Sequence, residues 1–384
     1  MATPVVLIHG IKGSHLAQTY DDSFDTVWSG VQKGFESIWD LELSDDGEVE
    51  RDPRDLITVM RIESLAYGEI LGRLRKKMPD SPIYIFRYDW RRDNLHNASK
   101  LQEFLSYLTK KTGSGRFRFI THSMGGLILS AFLNLKSNNI GCVERAAMTV
   151  PPFAGSPEAI RGLIVGEASP LGINSSEAFR KIARTFPSVY QLVPGYQGAW
   201  EHHDPNADIW DIGYWQRRVE FGSRPRSIYD EKEKLMKHHL ARAKEFQCKD
   251  MVDFDAMDSK DKRKFLVFYG TGERTLQSIK VLDKNSTGGV ENFFDFEAIG
   301  NYSNEGDGTV PVKSAKRFST LQAHPIDLSK QRKWWLPTTY DEALNIQLAG
   351  FHGAFLALDK VQSVVIDWLE GKDVKPEWSG KITR

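Results

Sequence analysis

Arg116 to Thr121 has strand character and runs without a spacer into His122-Ser123-Met124-Gly125-Gly126. A leucine-rich helical stretch follows and reaches Leu135. A strand that passes into a helix through so short a turn needs small residues where the two elements meet. It also lifts the side chain at the turn above the end of a sheet, next to a helix N-terminus that stabilises negative charge. Ser123, with Gly125 two residues on, is therefore a candidate nucleophile. The usual GxSxG turn has glycine two residues before the serine, where this chain has Thr121. Taken alone, a Ser-x-Gly-Gly after a strand is also an ordinary helix start with serine as its N-cap.

The first 150 residues extend the same alternation. Pro4 to Ile8 reads as a buried strand ending in His9-Gly10, Ile83 to Tyr88 as a second, and Val143 to Val150 as one that follows the serine helix. Between the second strand and the serine strand, Ala98 to Lys111 spaces Leu101, Phe104, Leu105 and Leu108 as a helix, and Thr112-Gly113-Ser114-Gly115 stops it. Strands alternating with helices in this way predict an α/β architecture, a mostly parallel sheet flanked by helices. From Phe153 to about Lys262 the composition shifts to aromatics, charges and irregular turns, with Trp200, Trp210 and Trp215 and a helical piece from Glu231 to Glu245. This segment is expected to be a cap inserted into the sheet domain. Strand character returns at Phe265 to Gly270, and Ala354 to Leu369 is expected as a final helix on the sheet. The expected organisation is thus 1–152 and 263–384 as the two parts of the core and 153–262 as the cap, with 26–43 as a candidate lid.

Lysine plus arginine and aspartate plus glutamate both number 51, so no net field favours nucleic acid or an anionic membrane. Cys142 and Cys248 are too few for a disulfide framework. The chain enters Val5-Val6-Leu7-Ile8 with no basic leader segment, and no apolar stretch approaches the roughly 20 residues that cross a bilayer. The expectation is a soluble, cytoplasmic chain for which peripheral membrane contact stays open.

A serine hydroxyl needs a base to deprotonate it, a carboxylate to orient that base and amide donors for the oxyanion. In chain order the acid follows the serine and the histidine comes last, which fits Asp307 in Gly306-Asp307-Gly308-Thr309-Val310-Pro311 and His352 in Phe351-His352-Gly353. Asp307 also reads as an ordinary Asx-turn carboxylate. His324 is a rival base, although Pro325 and polar neighbours make its segment look like a surface turn. His9-Gly10-Ile11-Lys12-Gly13-Ser14 after the first strand offers the Ile11 amide as one oxyanion donor, with the Met124 amide as the other. That loop lacks the Gly-Lys-Ser/Thr ending of a phosphate loop, so nucleotide binding is discounted. His202-His203-Asp204 has no further spaced ligands and reads as a solvated loop, so neither a metal nor a cofactor is expected. Asp89-Trp90-Arg91 reads as an internal ion pair at a strand end. Trp28, Trp39 and Phe153 are candidate substrate contacts.

With these residues placed, the chain resembles the lecithin:cholesterol acyltransferase family, which includes lysosomal-type phospholipase A2 enzymes and phospholipid:diacylglycerol acyltransferases. The resemblance rests on HGIKGSHL at 9–16, Tyr88-Asp89-Trp90-Arg91, THSMGG at 121–126, PPFAGSP at 151–157, Phe186-Pro187-Ser188, GDGTVP at 306–311 and His352-Gly353. These span most of the chain in the family's order. The resemblance implies the α/β-hydrolase fold with a cap and a mobile lid around an acyl groove, and ester chemistry on lipids. It maps the catalytic serine, acid and histidine to Ser123, Asp307 and His352. It also has departures: the secreted animal members have proline where this chain has His9, they carry disulfides that two cysteines cannot build, and their N-terminal membrane-binding segment is not evident. The expected activity is that of a serine hydrolase on carboxylic esters, lipid esters among them. Acyl transfer to an alcohol or lipid acceptor, amide hydrolysis and a non-catalytic binding protein on the same fold remain open.

Overall fold

The computed structural model describes residues 2–20, 25–28, 36–164, 166, 179–202, 204–215, 226–280, 300–330 and 351–374. The chain begins with β1 (Val5–Ile8) and continues into β2 (Ser14–Gln18), β3 (Asp25–Trp28) and β4 (Ile57–Ile62). There follow α1 (Ser64–Lys77), β5 (Ile83–Phe86), α2 (Asn94–Thr112), β6 (Phe117–His122), α3 (Gly125–Leu135) and β7 (Val143–Thr149). Between β7 and the next strand of the main sheet lie α4 (Pro157–Ile164), α5 (Pro187–Gln191), β8 (Trp200–Glu201) and α6 (Arg226–Glu245). The chain then returns through β9 (Phe265–Thr271), β10 (Thr275–Lys280), β11 (Gly300–Ser303), β12 (Gln322–Asp327) and α7 (Asp359–Leu369).

Among the described residues the main sheet has six strands in the order β12-β9-β7-β6-β1-β5, and every neighbouring pair is parallel. Alternation along β1 explains how both faces are buried. Val6 and Ile8 join the core shared with α2, α3 and the segment between β7 and β9, while Val5 and Leu7 join the core under α1 and α7. A strand this apolar at every position is stable only with helices on both sides, which is the predicted α/β layering.

The chain leaves β1 for β5 on one side and comes back to β6 on the other. The carboxyl ends of β1 and β6 therefore lie side by side, with Ile8 opposite Thr121, where connections diverge and open α/β sheets place their sites. Gly125 permits the closeness, since a Cβ there would lie 2.5 Å from the Ile8 carbonyl oxygen and 2.6 Å from that of His9.

Several boundaries differ from the sequence reading. The helix expected at Ala98 starts earlier, because Asp93 caps it by accepting from the Leu95 amide at 2.7 Å. The helix expected from Ala354 begins only at Asp359, after a 3-10 turn over Phe355–Ala357. His324 and Pro325 lie on no surface turn. They belong to β12, an edge strand that pairs with β9, and His324 is buried against Phe268. Proline is tolerated there because an outermost strand has one side without ladder bonds. The small antiparallel sheet β3-β2-β4 and the sheet β11-β10-β8 went unread, since their strands mix polar and apolar residues over six positions or fewer. Of the candidate lid 26–43, residues 29–35 lie outside the described residues; the rest forms β3 and a 3-10 turn, Glu36–Leu41.

One buried charge cluster ties the segment after that turn to the sheet. Arg91 is fully buried and holds Asp89 through two bonds of 3.0 and 2.7 Å, Glu50 at 2.9 Å and the Leu41 carbonyl at 3.0 Å. Arg92 adds bonds to Glu50 at 2.7 Å and to the Gly47 carbonyl at 3.0 Å. Burial pushes the Asp89 carboxyl up, but Arg91 and Arg92 outweigh it and hold the group below the usual carboxylate range. Removing the Arg91 cation would leave Asp89 and Glu50, both largely buried, to share Arg92 alone. Arg91→Met is expected to lower stability by roughly 3–5 kcal/mol in denaturant unfolding, and an unchanged midpoint would contradict this account of the cluster.

Candidate functional site

Ser123 sits at the turn between β6 and α3 with φ 52°, a left-handed conformation that costs an ordinary residue about 1–2 kcal/mol. The turn is held by the Ser123 amide, which donates to the Thr149 carbonyl at 2.9 Å, and by the Thr149 hydroxyl, which donates to the Thr121 carbonyl at 2.7 Å. The strain aims the hydroxyl at His352, whose Nε2 lies 2.8 Å from Ser123 Oγ. On the far side of the ring His352 Nδ1 lies 2.7 Å from Asp307 Oδ2. The other Asp307 oxygen accepts from the amides of Thr309 at 3.0 Å and Val310 at 2.7 Å, so the carboxylate is oriented before the histidine meets it. The three residues lie 229 and 45 positions apart in the chain, and all are buried.

The loop after β1 is fixed with similar economy. The Gly10 carbonyl accepts from the Gly13 amide at 3.1 Å and from His9 Nδ1 at 2.8 Å. Because the peptide is planar and trans, the Ile11 N–H points opposite to that pinned carbonyl. Among the described residues neither the Ile11 nor the Met124 amide has a hydrogen-bond acceptor. A Cβ on Gly10 would approach Ser123 Cβ to 2.9 Å, so the loop and Ser123 are in contact.

His9 stacks on Tyr88 with ring centroids 4.1 Å apart, and burial holds its imidazole down to about 4 despite the bond to Gly10. Beneath the serine, burial and the neighbouring His352 hold His122 down to about 3. Tyr67, on α1, lies 2.9 Å from His122 Nδ1. Sequence reasoning missed Tyr67, because nothing in a helical aromatic announces that its hydroxyl reaches a loop 57 residues away.

The remaining candidates are dispersed. Trp28 packs edge-on against Trp90 at 5.3 Å and donates to the Lys12 carbonyl at 3.4 Å, which makes it a support of the loop after β1. Trp39 is exposed. Phe153 is fully buried and packs against Phe254 and Phe318 at 5.9 and 5.1 Å. His324 makes no bond to this constellation: its ring meets Phe268, and its Nε2 has no hydrogen-bond partner among the described residues. His203 lies outside the described residues, while His202 accepts from the Asp204 amide at 3.0 Å. A cleft of about 590 Å³ along the free edge of β5 is lined by Val59, Ile85, Arg92 and His96 and includes none of Ser123, Asp307 and His352.

Two neutral buried histidines make stability depend on pH. Their folded values lie below the ordinary 6.5, so between 6.5 and about 4 for His9, or about 3 for His122, the unfolded chain binds more protons. Stability is therefore expected to fall as pH drops from 6.5 through that window. Denaturant unfolding at pH 7.5 and 5.5 checks it, with the higher midpoint expected at pH 7.5.

Residues 77–280, more than half of the chain, match the family described as Lecithin:cholesterol acyltransferase. Among curated proteins, Lecithin-cholesterol acyltransferase-like 4 of Arabidopsis thaliana is 27% identical over an alignment of 142 residues that covers 33% of this chain and 25% of that protein. The match thus spans about a quarter of the relative's length. Among solved structures, a chain of the Tle4-Tli4 complex superposes with a TM-score of 0.60 at 13% identity, over 97% of this chain and 99% of that one. That likeness is one of fold.

Proposed function

The chain belongs to the lecithin:cholesterol acyltransferase family, and on that footing we propose that it is a serine hydrolase of carboxylic esters, lipid esters among them, acting through Ser123, His352 and Asp307. The observation that carries the reading is the unbroken hydrogen-bond series from Ser123 Oγ through the two His352 nitrogens to Asp307 Oδ2, at 2.8 and 2.7 Å. His352 Nε2 takes the Ser123 proton as Oγ attacks the ester carbonyl, and Asp307 orients the ring and stabilises the imidazolium that forms. The amides of Ile11 and Met124 receive the oxyanion, which matches their having no acceptor of their own. Collapse of the tetrahedral species breaks the ester C–O bond, His352 returns its proton to the leaving alcohol, and an acyl group stays on Ser123. Water, deprotonated by His352 in turn, releases the acid.

A second reading replaces that water with an alcohol or lipid hydroxyl, and the name of the Arabidopsis relative, an acyltransferase-like protein, favours keeping it. Product analysis with and without an added acceptor alcohol separates the two. Ester product forming at the expense of free acid would make transfer the main reaction.

Ser123→Ala is expected to abolish p-nitrophenyl ester turnover and labelling by a fluorophosphonate probe, while leaving the protein folded. Labelling that persists in the variant would sink the assignment of the nucleophile. A series of soluble esters of increasing acyl length tests the lipid part separately, since preference for long chains is expected and preference for acetate would count against it.

A further inference from the structure

Beneath the serine a second hydrogen-bond chain runs through groups to which the reaction above gives no task. The Gly10 amide donates to Tyr67 Oη at 3.0 Å. Tyr67 Oη lies 2.9 Å from His122 Nδ1, and His122 Nε2 lies 2.8 Å from the main-chain carbonyl of His352. The directions of these bonds are fixed by elimination. A carbonyl only accepts, so His122 Nε2 carries the proton; the neutral ring then leaves Nδ1 as acceptor, and the Tyr67 hydroxyl donates to it. Burial keeps the His122 ring neutral and pushes the Tyr67 phenol up, so neither group leaves this arrangement near neutral pH.

The chain joins the two parts of the site that arrive from opposite ends of the sequence. One end holds the peptide just before Ile11, on the oxyanion side, and the other holds the backbone of His352, the base. A crowded contact marks the same place, since a Cβ on Gly13 would lie 2.8 Å from Tyr67 Oη and 2.9 Å from His9 Nδ1. Resting on the hydrolase reading, we propose that Tyr67 and His122 are positioning residues which set the height of His352 against Ser123 and hold the loop that presents the Ile11 amide. They touch no reacting atom. Their effect should therefore fall on the rate of acyl transfer and leave the binding of the substrate's acyl chain alone.

Substitutions at His122 separate the two bonds it makes. Gln carries its amide nitrogen near the position of Nε2 and can still donate to the His352 carbonyl. Asn reaches only toward Tyr67, and Phe keeps the volume and loses both bonds. His122→Phe and His122→Asn are expected to lower kcat on a p-nitrophenyl ester by roughly 100-fold with KM within about twofold, the loss that a misplacement of about 1 Å produces. His122→Gln is expected to recover most of that loss. Fluorophosphonate labelling of Ser123 should slow in the same order, with circular dichroism and thermal unfolding confirming that each variant is folded. Tyr67→Phe removes one oxygen and keeps the ring, so it carries the test should the His122 variants not fold, with a fall in kcat of roughly 10-fold or more expected. Folded variants whose kcat stays within threefold of the parent, or whose loss lies in KM, would overturn the positioning role alone. A parent chain that the probe does not label at Ser123 would overturn the hydrolase reading, and this proposal with it.

Discussion

The contact on which the site depends is made by backbone alone. α3 begins so close to the end of β1 that a single methyl group on Gly125 would run into the carbonyl oxygens of Ile8 and His9. That approach brings the amide of Met124 and the loop after β1 to the same point, and it forces the turn at Ser123 into a left-handed conformation. The strain persists because the surroundings over-determine it: the Ser123 amide is committed to Thr149, and the Thr149 hydroxyl to Thr121. The serine does not choose its direction by rotamer preference. It is aimed by the distance between a strand and a helix.

Electrostatics divides the molecule into two regimes. Next to Ser123, burial keeps His9 and His122 uncharged, and the carboxylate of Asp307 is met by two backbone amides and one imidazole. Around Arg91 two arginines face two carboxylates and bind the segment from Leu41 to Glu50. The charge cluster does a different task, fixing where a loop lies.

The strand-turn-helix around Ser123 was legible because each of its requirements falls on adjacent residues. The six parallel strands could mostly be read from apolar runs such as Val5-Val6-Leu7-Ile8, which leave no alternative to burial on both faces. Asp307 and His352 were legible for another reason, since the glycines around them and their order after Ser123 narrow the choice among acids and histidines. What escaped was whatever depends on distant pairing. β12 looked like a turn because Pro325 is unusual in a strand, and only its position at the sheet edge makes it acceptable. Tyr67 drew no reading at all, because its partners lie in the loop after β1 and beside Ser123, far along the chain.

The same proline has a consequence for how copies of this chain behave toward one another. An outermost strand is an open row of donors and acceptors onto which a second chain can add itself, the first step toward cross-β association. β12 interrupts its row at Pro325, which has no N–H to offer, and ends in a charged residue, Asp327. The strand at the opposite margin of the sheet, Ile83–Phe86, is only four residues long. Among the described residues neither margin offers a long uninterrupted template, which limits what a second chain's strand could pair with there.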